Sequence, residues 1–63
     1  MTPTNADQLK AWRALLGWTQ TRAAEELGLK LRQYQNLEAG VTPVNLTLQK
    51  LAARIAKERV RQS

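Results

Sequence analysis

Arg32, Gln35 and Asn36 stand at i, i+3 and i+4, the spacing that gathers side chains on one side of a helix. Their end groups are those that read base edges in the major groove of DNA. A guanidinium forks onto guanine O6 and N7, and a carboxamide pairs bidentately with adenine. Leu31, in the same segment, offers apolar surface to a thymine methyl, and Gln33 lies at the margin of the polar face. Tyr34, Leu37 and Glu38 fall on the opposite side of the same helical wheel. A helix that is only solvated on its outer face more often carries Glu and Lys there, so the residues around this segment have to decide between base reading and plain surface.

Those surroundings have a definite architecture. Thr19 can cap a helix over Gln20 to Leu27, in which Ala23, Ala24 and Leu27 make a narrow face of small apolar residues. Gly28 supplies a left-handed turn position, Leu29 an apolar plug, and a second helix follows from about Lys30 to Ala39, stopped by Gly40. Two helices joined by so short a turn must cross steeply, which needs Ala24 at the crossing and glycine in the turn. That is a helix-turn-helix over about residues 19–39. Asn5 and Gln8 read as a capping box opening an earlier helix with Leu9, Trp12 and Leu16 on one face, ended by Gly17. Val41 to Val44 is a loop, because Pro43 turns Thr42 away from helical angles, and Asn45 caps a last helix over about residues 46–60. No segment alternates as a strand does. The expected fold is all-α: one domain over residues 1–63, a bundle of four or five short helices with a flexible start at residues 1–4.

Composition narrows the function. The chain has 63 residues, ten Lys/Arg against five Asp/Glu, a net charge of +5, and neither Cys nor His. The charge suits a polyanion, either nucleic acid or an anionic membrane surface. Disulfides and Cys/His metal sites are excluded, no cofactor is expected, and a chain this small gains from oligomerisation. With a single Ser at the C-terminus and no paired carboxylates beyond adjacent Glu25 and Glu26, an enzyme is not expected. No apolar run approaches the roughly 20 residues of a membrane span, and residues 1–4 lack the features of a signal peptide. The expectation is a cytoplasmic protein of a bacterial cell or of a phage acting in its host, with no small-molecule effector.

From Leu9 to about Ile55 the chain resembles the lambda-repressor-like, Xre-type helix-turn-helix domains. The resemblance rests on Thr19-Gln20, Ala24, Gly28, Leu37-Glu38-Ala39-Gly40, Thr47-Leu48 and Lys50-Leu51-Ala52. It implies that Gln20 bonds a DNA phosphate, with Thr19 assisting through its backbone, and that Leu31, Arg32, Gln33 and Asn36 are the base-reading positions. It also implies an ion pair between Arg13 and Glu38. Lys30 replaces the small polar cap usual in the family and is assigned to phosphate. The loop Val41 to Leu46 lacks the basic residues that relatives often place there, so Arg22, Lys10 and the last helix are the alternatives for gripping phosphate.

The last helix carries three stripes. Leu48, Leu51, Ala52 and Ile55 should close the core, and Lys50, Arg54, Lys57 and Arg61 form a basic ridge. Leu46, Gln49, Ala53, Ala56 and Val60 form a second apolar stripe, expected to be the interface of a homodimer that would read a palindrome in double-stranded DNA with its two recognition helices about 34 Å apart. Trp12, Trp18 and Tyr34 are expected in the core, with the Tyr34 hydroxyl at the surface. The rival function is an antitoxin-like or co-regulator module that docks a protein with the same scaffold. Its recognition face should be apolar or acidic, and here that face is Arg, Gln and Asn. Membrane-surface binding by the basic last helix is disfavoured, since no Trp or Phe lies on it.

Overall fold

The computed structural model describes residues 2–61, with side chains through residue 59. Its helices are α1 (Ala6–Leu16), α2 (Gln20–Glu26), α3 (Leu31–Glu38) and α4 (Leu46–Arg61), and there is no strand among the described residues. The fold is all-α and four-helical.

Three of the four helices start where a short polar side chain accepts an otherwise unpaired N–H. Asn5 Oδ1 accepts from the Gln8 backbone at 2.9 Å, Thr19 Oγ1 from Arg22 at 3.2 Å, and Asn45 Oδ1 from Leu48 at 2.8 Å. At α3 the cap residue is Lys30, which has no acceptor. The end is closed from inside instead: the Lys30 backbone donates to Gln33 Oε1 at 2.9 Å. The capping box expected at Asn5 is shifted by one residue, because Gln8 Oε1 accepts from the backbone and hydroxyl of Thr4 rather than from Asn5. Thr4 is fastened to Gln8 and Pro3 is fully buried, so packing against the domain begins at residue 3.

Three helices end in the same way. Trp18, Leu29 and Val41 each send their backbone N–H to the carbonyl five residues earlier, those of Arg13, Ala24 and Asn36, at 2.8 to 3.1 Å. This ending requires a left-handed residue just past the helix. At the helix-turn-helix that residue is Gly28, with φ 71°. The ending also throws the following apolar side chain back toward the core: Leu29 and Trp18 pack against it, whereas Val41 remains exposed.

The core is built from Leu9, Trp12, Ala23, Ala24, Leu27, Tyr34, Leu37, Val44, Ala52 and Ala56. The α3 helix packs on α2 and α1, and α4 closes on α1. Fully buried Trp12 satisfies its only donor by bonding the Ala52 carbonyl at 2.8 Å. This fastens the middle of α4 to α1 and turns the alanine side of α4 inward, so Ala52 and Ala56 are buried while Leu48, Leu51 and Ile55 are only partly so. Ala56 therefore belongs to the core of one chain and is removed from the expected dimer stripe. Of that stripe, Leu46 is 62% exposed, and Gln49 and Ala53 are half-buried. The side chains of Val60 and Arg61 lie outside the described residues.

Candidate nucleic-acid interface

Tyr34, Leu37 and Glu38 anchor α3 from within and leave Leu31, Arg32, Gln33 and Gln35 exposed, with Asn36 half-buried beside them. Asn36 and Gln33 border an open groove floored by Leu29, Leu37, Leu48 and Pro43, which separates α3 from the loop before α4. Thr19, Gln20 and Lys30 lie at the starts of α2 and α3. Thr19 and Lys30 are exposed and Gln20 is half-buried. Arg32 takes part in no ion pair among the described residues, and the same holds for Lys30.

The inner side of this surface is organised by one buried carboxylate. Glu38, 4% exposed, accepts from Arg13 Nε at 2.7 Å, Arg13 Nη2 at 3.3 Å, Gln20 Nε2 at 3.1 Å and the Tyr34 hydroxyl. The Tyr34 hydroxyl is thus buried and used, contrary to the surface position expected from sequence; the phenol on α3 reaches one helical turn onward to Glu38. Arg13 also donates to the Trp18 carbonyl at 3.1 Å, so α1, α2 and α3 meet at this hub. Burial by itself pushes the Glu38 carboxyl upward, but hydrogen bonds from Arg13, Tyr34 and Gln20 outweigh it and hold the group below the usual carboxylate range. Burial and the bond to Glu38 raise Tyr34 well above an ordinary phenol, so it stays a donor. The hydrogen bond to Glu38 raises Arg13 above an ordinary guanidinium.

Gln20 is not simply an outward-facing group. Its Nε2 points to Glu38, and its Oε1 accepts from Gln35 Nε2 at 3.3 Å. Arg22 is also engaged: its side chain meets Glu26 at 3.0 Å and its guanidinium lies over the Trp18 ring, 5.5 Å from the centroid. Arg59 lies against the same ring at 5.6 Å and reaches Glu26 at 3.7 Å. Trp18 in turn stands edge-on to Trp12, with centroids 5.7 Å apart. The Trp18–Arg22–Glu26–Arg59 cluster ties the end of α4 to α2 and to Trp18 just before it. Sequence reading paired neither Arg59 with Trp18 nor Gln20 with Glu38. The i, i+4 spacing of Arg22 and Glu26 was the one local signal of the cluster.

In the basic ridge of α4, Arg54 pairs with Glu58 at 3.2 Å, while Lys50 and Lys57 are exposed. No helix among the described residues is long and apolar enough to cross a membrane, and none of their His, Cys, Asp and Glu side chains cluster as a metal site.

Two short helices packed on each other across a glycine turn, with a buried acid near the end of the second and a polar face on its outer side, define a helix-turn-helix domain. Residues 9–58 match the family described as Helix-turn-helix, of the Xre and lambda-repressor-like type, and the chain belongs to it. That family is one of DNA-binding regulators. No curated protein and no solved structure matches this chain.

Proposed function

We propose that this protein is a sequence-specific regulator of transcription that places α3 in the major groove of double-stranded DNA. The supporting observation is the division of α3. Its tyrosine, leucine and acid are spent on the core, and the face left to solvent carries Leu31, Arg32, Gln33, Gln35 and Asn36, the side chains suited to base edges. Thr19, Gln20 and Lys30 flank this face at the starts of α2 and α3 and are assigned to phosphate. Arg22 is a further phosphate ligand only by leaving Glu26. The Arg13–Glu38 pair is the internal support of the surface. The protein acts as a homodimer on a palindrome, inside a bacterial cell, with Leu46, Gln49 and Ala53 of α4 contributing to the contact between copies.

The test is selection from random duplexes followed by sequencing, repeated with Arg32→Ala and Asn36→Ala. The expected result is a palindrome with half-sites about ten base pairs apart, each variant losing preference at single positions. Binding that is salt-sensitive and blind to sequence removes the proposal and favours a protein partner. Sedimentation of Leu46→Glu against the wild type, with and without the selected duplex, tests the dimer: a wild type that stays monomeric in both conditions removes it.

A further inference from the structure

The hydrogen bonds from Glu38 outward alternate in a way that only one arrangement of the amides satisfies. A carboxylate only accepts, and Glu38 remains ionised between Arg13 and Tyr34. The Gln20 amide must therefore turn its Nε2 to Glu38, 3.1 Å away, because the opposite rotamer would set two acceptor oxygens against each other. Gln20 Oε1 is then fixed as an acceptor facing Gln35, and Gln35 must answer with its Nε2, at 3.3 Å. The Gln35 carbonyl oxygen is the group left to point away from the protein. The second Nε2 hydrogen of Gln20 is not used by Glu38.

We propose that Glu38 is a positioning residue for base reading: through Gln20 it sets the direction of the Gln35 amide, so that Gln35 selects a base bearing an exocyclic amino group in the major groove. Adenine N6 and cytosine N4 are the two such donors. Adenine is the better match, since the second Nε2 hydrogen of Gln35 can meet its N7. Guanine presents only acceptors at O6 and N7 and is disfavoured by the same orientation. The inference rests on the base-reading function proposed above.

The test begins from the selected duplex. Gln35→Ala identifies the position that Gln35 reads, where the wild type should prefer adenine or cytosine over guanine by about tenfold or more. Gln20→Met removes the relay while leaving Arg13 and Tyr34 on Glu38. It should reduce the preference at that one position to about twofold, with other positions unchanged; loss of the Gln20 phosphate contact weakens all sequences alike and is thereby separated. With the wild-type protein, removing the exocyclic amino group of the base at that position should weaken binding about tenfold, and the same change should have little effect on Gln20→Met. A wild type that selects a site but reads guanine there, or a Gln20→Met variant that keeps the full preference, overturns the relay and leaves the DNA-binding proposal standing. A wild type with no base preference at any position overturns both.

Discussion

Replacing Glu38 with glutamine keeps the shape of the side chain and removes an acceptor where four donor contacts converge. The carboxamide has one acceptor oxygen. With that oxygen in the Oε2 position, the bonds from Arg13 Nε and Tyr34 survive, the new NH2 faces Arg13 Nη2, and Gln20 must flip to accept from it. The dominant cost is the loss of charge opposite Arg13. Removing one partner of a fully buried pair costs about 3–5 kcal/mol. The Arg13 side chain, however, is 25% exposed against 3% for Glu38, and it keeps its bond to the Trp18 carbonyl, so water and that carbonyl relieve part of the penalty. The expected loss is about 2–3 kcal/mol, which for a domain this small lowers Tm by about 10–20 °C. The pH dependence gives a second, signed check. Because the folded-state carboxyl titrates below its unfolded value, its stabilisation is fully present above the ordinary carboxylate range, near pH 4.3, and is lost as pH falls through the folded value. Thermal unfolding followed by circular dichroism, for wild type and Glu38→Gln from pH 7 downward, should show a gap that is widest near neutrality and narrows in acid. A variant within about 3 °C of wild type at pH 7, or a gap that does not change with pH, would refute the account of the hub.

Gly28→Ala should lower stability by about 1–2 kcal/mol, read as a drop in Tm, because φ 71° strains an L side chain although an added Cβ would meet no neighbouring atom. Gly28→Asn should cost less. Ala56→Leu should overpack the core and destabilise by about 1–3 kcal/mol, while Ala53→Leu, on the half-buried side of α4, should be far milder in the same melts. Arg59→Ala removes a cation from the Trp18 ring and a contact to Glu26, so denaturant titration should show a loss of about 0.5–1 kcal/mol and Trp18 fluorescence should change. Gln33→Glu keeps an acceptor for the Lys30 backbone and should leave Tm nearly unchanged, yet weaken DNA binding in gel-shift or anisotropy titrations by about 1 kcal/mol or more; unaltered binding would take Gln33 off the interface.

The helix-turn-helix and the two sides of α3 were legible in the sequence because local rules determine them. Gly28 followed by Leu29 has few alternatives as a turn, and over the eight residues of α3 a rotation of about 100° per residue separates Tyr34 from Arg32 with little latitude. The phase of α4 was harder to read. Ala53 and Ala56 are both small and apolar, so hydrophobicity does not say which is buried; the answer depends on where the Trp12 indole bonds, at the Ala52 carbonyl forty residues away. Arg59 on Trp18 depends likewise on how α4 crosses the domain. The Tyr34 hydroxyl was misplaced because tyrosine at a core position usually keeps its polar end wet, and here a buried acid one turn later receives it.

What the three-dimensional arrangement adds to the wheel is polarity and order. The wheel puts Gln33 and Gln35 near one face as equivalent carboxamides, able to donate or accept. The fold makes them different: Gln33 spends its oxygen on the Lys30 backbone and presents its NH2, whereas Gln35 spends a hydrogen on Gln20 and presents its oxygen. Arg32 carries no ion-pair constraint among the described residues. Ordering a long side chain on binding costs about 0.5–1.5 kcal/mol, and two glutamines already held in place avoid part of that cost while Arg32 bears it. On the proposed reading, the surface combines two glutamines whose hydrogen-bond direction comes from the buried acid and the α3 cap with an adaptable cation. In the proposed relay, Glu38 both stabilises the domain and directs Gln35, so fold stability and base preference are coupled at that residue and separate further out, at Gln20 and at Gln35 itself.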